Sequence, residues 1–235
     1  MRAIILAGGK GTRLRPYTTL LPKPLVPIGN QKAVIEIIIE QLVRAGANHI
    51  TVAVNHLANL VISFIGNGER WGIKIDYSLE DKPLSTIGPL TLIKDLPENF
   101  LVLNGDILTD LNFKDLYDTH ARSGSQVTVA TFQRTQKTDY GVIDTDENRR
   151  IIGFREKPAQ AYQVSMGVYA LNRSVLAPLK AGAPYGFDNL MYDSIAANRP
   201  ATSYLWEGFW LDIGRPEDYD YCNENHEQIL RILDV

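Results

Sequence analysis

The hydrophobic pattern of residues 1–111 alternates between segments typical of strands and segments typical of helices. Residues 3–7 form a continuous apolar run closed by two glycines, which is typical of a strand buried on both faces. Over residues 32–45, apolar side chains recur at three- and four-residue spacing before Gly46, which predicts a helix. Strands are predicted in "HITVAVN", "IKIDYSL" and "FLVLNGD", with helices over 57–66 and 88–96. This alternation predicts right-handed crossover units and a largely parallel sheet covered on both faces.

The pattern changes after Leu111. It predicts a helix over 113–123, a strand in "QVTVATFQR", and two strands around the Asp-Glu-Asn turn of "YGVIDTDENRRIIGFREKP". A strand in "VSMGVYAL", helices near 174–179 and 188–197, a pair of strands in "ATSYLWEGFWLDIG" and a helix from Pro216 complete the prediction. We therefore expect the sheet to become mixed in this half. Because no repeat or linker interrupts the chain, we expect residues 1–235 to form one α/β domain.

Composition narrows the classes of function. A net charge of −3 gives no overall basic field, which argues against extended nucleic-acid binding and favours a small anionic ligand. No apolar run reaches the roughly 18 residues of a membrane span. Cys222 is the single cysteine and has no base beside it, which predicts a reducing compartment such as the cytoplasm and no thiol nucleophile. The four histidines, at positions 49, 56, 120 and 226, lack metal-ligand spacing and are predicted to be structural or exposed.

Residues 5–29, "ILAGGKGTRLRPYTTLLPKPLVPIG", hold four basic side chains and no acidic one. We call this stretch the basic segment. Without Cβ atoms, Gly8, Gly9 and Gly11 can turn successive backbone N–H groups toward one anion. Arg13 and Arg15 can add charge-assisted hydrogen bonds to phosphate oxygens. The pattern therefore predicts a phosphate cradle; a plain glycine turn with solvated arginines is the simpler interpretation.

Lys23 stands between two prolines in the basic segment. Pro22 and Pro24 restrict the backbone on both sides and predict an extended conformation that fixes the position of the ammonium group. Two familiar phosphate motifs do not match. A P-loop requires glycine where Arg13 stands, and the dinucleotide fingerprint GxGxxG requires its third glycine where Leu14 stands.

An ordered series of segments resembles one family over nearly the whole chain. "LAGGKGTRLRPYTTLLPKPLVPIGN" resembles the signature of the sugar-1-phosphate nucleotidyltransferases, and "PLSTIGPL", "VLNGDIL", "YGVI", "FREKP", "SMGVY" and "FWLDIGRPEDY" follow in that family's order. Members join an NTP to a sugar 1-phosphate and release pyrophosphate. The resemblance implies a three-layer α/β/α Rossmann-like fold with a mostly parallel mixed sheet. It also implies that residues 1–111 bind the nucleotide and residues 112–235 the sugar.

The resemblance assigns roles to individual residues. Arg13, Lys23 and Asp106 are implied to be catalytic. The implied nucleotide-binding residues are Leu6, Ala7, Gly8, Gly9, Gly11, Thr12, Arg13, Lys23, Glu80, Pro83, Ser85, Thr86, Asn104 and Gly105. The implied sugar-phosphate-binding residues are Tyr140, Gly141, Glu156, Lys157, Ser165 and Asp212.

Two aspartates are the implied metal ligands. Asp106 ends the strand "FLVLNGD", and ligands of open α/β sheets bind beyond the carboxyl ends of strands. By itself, either Asp106 or Asp212 would be a capping or surface residue. The resemblance implies instead that the two hold Mg²⁺, whose preferred ligands are hard oxygens. In the same way, Glu156 and Lys157 would alone be a solvated strand end, but their family counterparts bind sugar hydroxyls and the sugar phosphate.

The chain departs from the family pattern at four positions. Ser85, Ile87, Ser165 and Met166 replace residues that are often Gly, Ala, Asn and a small residue, respectively. Ser85 preserves backbone contacts to a base only if its φ is negative. Ser165 replaces an amide that would contact the sugar, which predicts an unusual sugar.

The details of "PLSTIGPL" and "WLDIGRPEDY" resemble the GDP-mannose and GDP-heptose branch. They favour guanylyl transfer from GTP to a mannose- or heptose-type sugar 1-phosphate, with thymidylyl, uridylyl or cytidylyl transfer to a hexose 1-phosphate as the alternative. Two other classes stay open at this point: a non-catalytic nucleotide-sugar-binding homologue, and a nicotinamide-dependent dehydrogenase, which the missing third glycine disfavours. A homodimer is compatible with the sequence; nucleic-acid and membrane partners are not expected.

Overall fold

The computed structural model describes all residues, Met1–Val235. The strands are β1 (Arg2–Leu6), β2 (Pro27–Ile28), β3 (Lys32–Ala33), β4 (His49–Val54), β5 (Lys74–Leu79), β6 (Asn99–Asn104), β7 (Ile107–Thr109), β8 (Val127–Lys137), β9 (Val142–Thr145), β10 (Ile151–Arg155), β11 (Ala159–Asn172), β12 (Ala201–Trp206) and β13 (Trp210–Asp212). The helices are α1 (Val34–Arg44), α2 (Ala58–Ile65), α3 (Phe113–Ser123), α4 (Phe187–Ala196), α5 (Pro216–Glu224) and α6 (His226–Leu233).

Seven strands form the central sheet in the order β12-β8-β11-β6-β1-β4-β5. Neighbouring strands run parallel except at β11, which is antiparallel to both β6 and β8. The predicted mostly parallel, mixed sheet is therefore confirmed. The carboxyl ends of β1, β4, β5 and β6 meet at one edge, which is where an open α/β sheet binds its ligands.

Both faces of the sheet are packed, as the apolar run in β1 predicts. Ala3 and Ile5 face a core cluster of 38 buried residues, whereas Ile4 faces a second cluster of 12. Helices α1 and α6 contribute to the larger core, and α4 contributes Leu190 to the smaller one. The sheet thus lies between two helical layers, which confirms the three-layer α/β/α arrangement.

Local signals explain where the helices begin and end. In α1, the Glu36 carboxylate accepts the backbone N–H of Ala33 at 2.9 Å, and Gly46 follows the helix with a φ of +89°. In α3, Asn112 caps the first turn by accepting the N–H of Asp115 at 3.0 Å, and Gly124 ends the helix with a φ of +67°. The longest helices, α1 and α3, have 11 residues each, and the structure has no helix with the length and apolarity to span a membrane.

Several predicted elements differ in the structure. The helix expected over 88–96 is only a 3-10 helix over Gly88–Leu92, and the helix expected over 174–179 is only a 3-10 helix over Arg173–Leu176. Leu90 and Leu96 are nevertheless buried, so the apolar spacing reflects packing of a turn rather than an α-helix. Pro178, which lacks an N–H, follows the second of these turns.

The C-terminal region also departs from the prediction. Both strands expected in residues 201–214 form, but they do not pair with each other: β12 pairs with β8 in the central sheet, and β13 pairs with β7. The single helix expected from Pro216 is divided into α5 and α6 at Asn225, whose φ of −110° and ψ of 17° are not helical.

Candidate active site

One cavity of about 290 Å³ opens at the carboxyl edge of the parallel strands. Its lining includes these residues of the expected nucleotide site: Leu6, Ala7, Gly8, Gly9, Lys23, Glu80, Pro83, Ser85, Thr86 and Asn104. Asp106 also lines it. Gly11, Thr12, Arg13 and Gly105 lie outside the lining. The structure thus brings the basic segment, the chain after β5 and the chain after β6 to one concave surface.

Glu80 provides a buried acidic group in this cavity. The residue is 8% exposed; its Oε2 accepts the backbone N–H of Leu84 at 3.0 Å, and its carbonyl accepts the side-chain amide of Asn55 at 2.7 Å. A Cβ atom at Gly8 would lie only 2.8 Å from Glu80 Oε1, so the glycine allows this close approach. Burial raises the pKa of Glu80, and the hydrogen bond from Leu84 opposes the shift.

The backbone conformation of Lys23 differs from the predicted one. It begins a 3-10 helix over Lys23–Leu25, so the prediction of an extended backbone at this residue is wrong. Pro22 is extended, but the fixed φ of Pro24 suits the first turn of a helix, and the backbone turns there. The Lys23 side chain is still held in one place, because it is 10% exposed and its Nζ pairs with Asp106 Oδ2.

Strands β7 and β13 bring the two aspartates together. Asp212 stands opposite Ile107 in this two-stranded ribbon, and the N–H of Ile213 donates to the carbonyl of Asp106 at 3.0 Å. Burial raises the pKa of Asp212, and the negative charge of Asp106 raises it further. Lys23 and Arg13 oppose the shift, so these side chains share one electrostatic environment although they come from three distant parts of the chain.

The two aspartates fit a divalent cation. Asp106 Oδ1 is buried and has no hydrogen-bond partner, and Asp212 is half-buried. A divalent cation would satisfy both groups with hard oxygen ligands. The structure holds no group of three or more His, Cys, Asp or Glu side chains placed to bind a metal, so the two aspartates would supply only part of its coordination.

The backbone conformation of Ser85 differs from the one that the sequence analysis required. Its φ is +65°, in the left-handed region, so the negative φ that the sequence analysis required for backbone contacts to a base is not observed. The loop keeps the backbone conformation that glycine adopts most readily, and the serine carries the steric cost. The backbone path that follows β5 is therefore compatible with a glycine at this position.

Four of the expected sugar-phosphate residues lie at one end of the β9–β10 ribbon, just outside the two strands, and are exposed: Tyr140, Gly141, Glu156 and Lys157. Gly141 lies beside Glu156, since a Cβ atom at Gly141 would be 3.3 Å from Glu156 Oε2 and 2.6 Å from the Phe154 ring. Tyr140 is 79% exposed, and Lys157 is exposed with a φ of +42°. The structure thus groups Gly141 and Glu156, and it leaves this group outside the cavity that Lys23 and Glu80 line.

Ser165 lies nearer the aspartates, at an irregularity where β11 changes register against β8. Its hydroxyl accepts the N–H of Gly167 at 3.3 Å and lies 3.5 Å from the hydroxyl of Tyr169. Burial raises the pKa of Tyr169, the Ser165 hydrogen bond lowers it, and the charge of Asp106 raises it. The Tyr169 hydroxyl is therefore close enough to Asp106 for its charge to act on it, and Ser165 lies next to that hydroxyl.

Several residues of this site were not predicted from the sequence. Pro24, Leu84 and Pro89 line the cavity, Asn55 supports Glu80, and Tyr169 lies near Asp106. All except Asn55 stand within segments that carry the family resemblance. Asn55 directly follows β4 at the carboxyl edge of the sheet, and that position alone could have indicated it.

Other candidate groups are structural. His120 is buried, its Nδ1 lies 2.8 Å from the Thr128 hydroxyl, and burial lowers its pKa. Cys222 is fully buried, and burial raises the pKa of its thiol to about 12, so the thiolate that a nucleophile needs does not form near neutral pH. Trp210 packs against the larger core and donates its indole N–H to the carbonyl of Met166 at 3.1 Å.

The fold and the cavity define a protein of the nucleotidyl transferase class. The chain belongs to the nucleotidyl transferase family, whose sequence model matches residues 2–229. It is 39% identical over 227 residues to the mannose-1-phosphate guanylyltransferase catalytic subunit beta of Dictyostelium discoideum, and 36% identical over 228 residues to a mannose-1-phosphate guanyltransferase of Aspergillus oryzae. Each alignment covers 93% of this chain and 62% of the relative, so the chain spans less than two thirds of these curated relatives.

A solved structure has the same fold. HddC from Yersinia pseudotuberculosis matches with a TM-score of 0.73 and 23% identity, over 96% of this chain and 99% of HddC. The family resemblance carried by the sequence motifs is confirmed, and so is the Rossmann-like nucleotidyltransferase fold.

Proposed function

We propose that the protein transfers a guanylyl group from GTP to mannose 1-phosphate, with release of pyrophosphate and formation of GDP-mannose. The observation that carries this proposal is the convergence of the glycine turn, the Lys23–Asp106 pair and the carboxylate of Glu80 in one cavity. The names of the relatives in Dictyostelium and Aspergillus support the choice of sugar. A heptose-type sugar 1-phosphate remains the second candidate acceptor, because Ser165 departs from the family pattern.

Glu80 supports the choice of base. Guanine presents two adjacent donors, N1–H and the N2 amino group, and an ionised carboxylate offers only acceptors. Uracil and thymine present one donor between two carbonyl acceptors, which a carboxylate would repel and an amide would match. With Oε2 engaged by Leu84, Glu80 Oε1 is the oxygen directed toward Gly8 and the cavity. Glu80 therefore favours guanine over uracil and thymine.

The proposed reaction is an in-line displacement at the α-phosphorus. An oxygen of the sugar phosphate forms a bond to this phosphorus, and the bond to the β-phosphate oxygen breaks, so pyrophosphate leaves with the electron pair. The attacking phosphate monoester is already ionised near neutral pH, hence alignment and charge neutralisation matter more than a strong base. Lys23 and Arg13 would neutralise the triphosphate, Lys157 would bind the incoming sugar phosphate, and Glu156 would bind sugar hydroxyls.

Asp106 and Asp212 would hold the divalent cation, for which we propose Mg²⁺. When bound, it would supply Lewis-acid stabilisation of the phosphate charge. Lys23 pairs with one oxygen of Asp106, and the other, the buried Oδ1, has no hydrogen-bond partner and could bind the cation.

A substrate panel tests the proposal. Pyrophosphate release is measured with Mg²⁺ for GTP, ATP, UTP, CTP and dTTP, each with mannose, glucose and a heptose 1-phosphate. We expect the fastest release with GTP and mannose 1-phosphate. Glu80→Gln should lose about tenfold in kcat/KM for GTP and gain relative activity with UTP or dTTP, because one charge-assisted hydrogen bond contributes about 1.5–3 kcal/mol. No release with any pair would overturn the proposed activity, and unchanged base preference in Glu80→Gln would overturn the assignment of Glu80.

A further inference from the structure

Helix α5 follows β13, the strand that carries Asp212, and its side chains contact the basic segment, which carries Lys23. It begins four residues after Asp212, and two of its side chains reach the end of the basic segment. The hydroxyl of Tyr219 donates to the carbonyl of Pro27 at 2.9 Å, and the side-chain oxygen of Asn223 accepts the N–H of Gly29 at 2.9 Å. Both bonds are made by the backbone shortly after the 3-10 helix that begins at Lys23.

The same helix also holds the middle of the basic segment. The ring of Tyr17 packs edge-on against Tyr219 with centroids 4.9 Å apart, and its hydroxyl donates to Asp220 Oδ1 at 3.3 Å. Next to Tyr17, the Thr18 hydroxyl donates to the carbonyl of Gly11 at 2.6 Å. The turn that carries Arg13 is thus linked to α5 through Thr18 and Tyr17. The end of the basic segment is linked to the same helix through Gly29.

We propose that Tyr219 and Asn223 are positioning residues that keep Lys23 and Arg13 in register with Asp212. This inference rests on the proposed function, because the three groups must meet at the phosphates of one nucleotide. The basic segment and β13 share no direct strand pairing, and the contacts of α5 link Pro27 and Gly29 of the segment to the helix that follows β13. Tyr219 is 8% exposed, and removal of its hydroxyl would leave the carbonyl of Pro27 without this partner.

The test compares Tyr219→Phe with Tyr221→Phe, a control on the same helix whose side chain is 52% exposed. Asn223→Ala removes the acceptor for Gly29, and Asn223→Asp keeps it. Amide hydrogen exchange is followed along the whole chain, and kcat, the KM for each substrate and the Mg²⁺ concentration for half-maximal rate are measured with GTP and mannose 1-phosphate.

We expect faster exchange confined to residues 11–29 in Tyr219→Phe and Asn223→Ala. We also expect kcat to fall about five- to tenfold and the Mg²⁺ requirement to rise, because a hydrogen bond of about 1 kcal/mol and a small displacement at the reacting groups have effects of this size. The KM for the sugar 1-phosphate should not change. Asn223→Asp keeps the acceptor for Gly29 but loses the donor to the Tyr219 carbonyl, so it should recover a large part of the kcat that Asn223→Ala loses.

Exchange and Mg²⁺ dependence equal to those of Tyr221→Phe would overturn the proposal. Faster exchange over the whole chain would also overturn it, because it would indicate general destabilisation. If residues 11–29 exchange faster but the wild-type chain releases no pyrophosphate, the attachment by α5 is supported and the proposed activity fails.

Discussion

The two regions of the proposed active site differ in how far their charged groups are buried. We call the cavity lined by Lys23 and Glu80 the proposed nucleotide side, and the end of the β9–β10 ribbon with Glu156 and Lys157 the proposed sugar side. Lys23 and Glu80 are 9% and 8% exposed in a cavity between packed elements. On the proposed sugar side, the charged residues Glu156 and Lys157 are both exposed, and the neighbouring Tyr140 is 79% exposed. The nucleotide side is built on parallel strands of the central sheet, whereas β9 and β10 form a separate two-stranded sheet.

This difference indicates how the two sides bind. Groups on the nucleotide side are already desolvated and aligned, so they can stabilise charge without further ordering. Groups on the exposed ribbon lose conformational freedom only when a ligand orders them, which lowers affinity. We therefore expect substitutions on the nucleotide side to change kcat or base preference, and substitutions on the sugar side to change the KM of the sugar 1-phosphate.

The largest effect is expected for Asp106→Asn. Loss of one charge-stabilising group in a preorganised site commonly lowers kcat by about 10²–10³-fold. In addition, the substitution leaves the buried ammonium of Lys23 without its ion-pair partner. The measurement is kcat for pyrophosphate release, with a thermal melt to confirm folding. Asp139→Asn, at an exposed position, is the control, and a kcat within threefold of wild type for Asp106→Asn would contradict the assignment.

The sequence predicted the nucleotide side better than the sugar side, for physical reasons. The run of residues 3–7 and the glycines after it are local signals, because apolar periodicity and missing Cβ atoms act on neighbouring residues. The pairing of β13 with β7 joins segments about a hundred residues apart, so local propensity predicted a wrong partner for it.

Backbone conformation at single residues was also hard to predict. The helical turn at Lys23 and the positive φ of Ser85 both oppose the usual preferences of these residues, and packing in the surrounding loop imposes them. The motif "FREKP" indicated that Glu156 and Lys157 bind a sugar phosphate, but its sequence did not predict that both residues are exposed.

On the sugar side, Lys157→Ala should raise the KM for the sugar 1-phosphate by about 10- to 100-fold, because a hydrogen bond to a charged group contributes about 1.5–3 kcal/mol. Nucleotide affinity should be unchanged, since Lys157 lies outside the cavity. Steady-state kinetics and calorimetric titration with GTP measure the two quantities. Lys137→Ala, which removes another exposed lysine from the adjoining strand β8, is the control. Loss of GTP affinity in Lys157→Ala would contradict the separate binding of nucleotide and sugar phosphate by the two regions.

The raised pKa of Glu80 predicts a pH dependence on the nucleotide side. The folded pKa lies above the ordinary value of 4.5, so the carboxyl takes up its proton at a higher pH than a free glutamate does. As the pH falls through this folded pKa, the ionised acceptor is lost, and the KM for GTP should rise by about three- to tenfold. Glu80→Gln carries no such proton and should lack this component. Parallel curves for the two proteins would show that Glu80 does not face the base.

The smallest effect is expected for Ser85→Gly, at the mouth of the cavity. A non-glycine residue with a φ of +65° carries a steric cost of about 1–2 kcal/mol, which glycine relieves, while glycine loses more backbone freedom on folding. We expect a net gain of about 0.5–1 kcal/mol in the free energy of unfolding, measured by urea denaturation. Ser203→Gly removes the same side chain from the exposed edge strand β12, where φ is not positive, and it should destabilise the protein instead. Equal destabilisation by both substitutions would mean that contacts of the Ser85 side chain outweigh its backbone strain. The stability of the loop after β5 would then depend on the serine side chain.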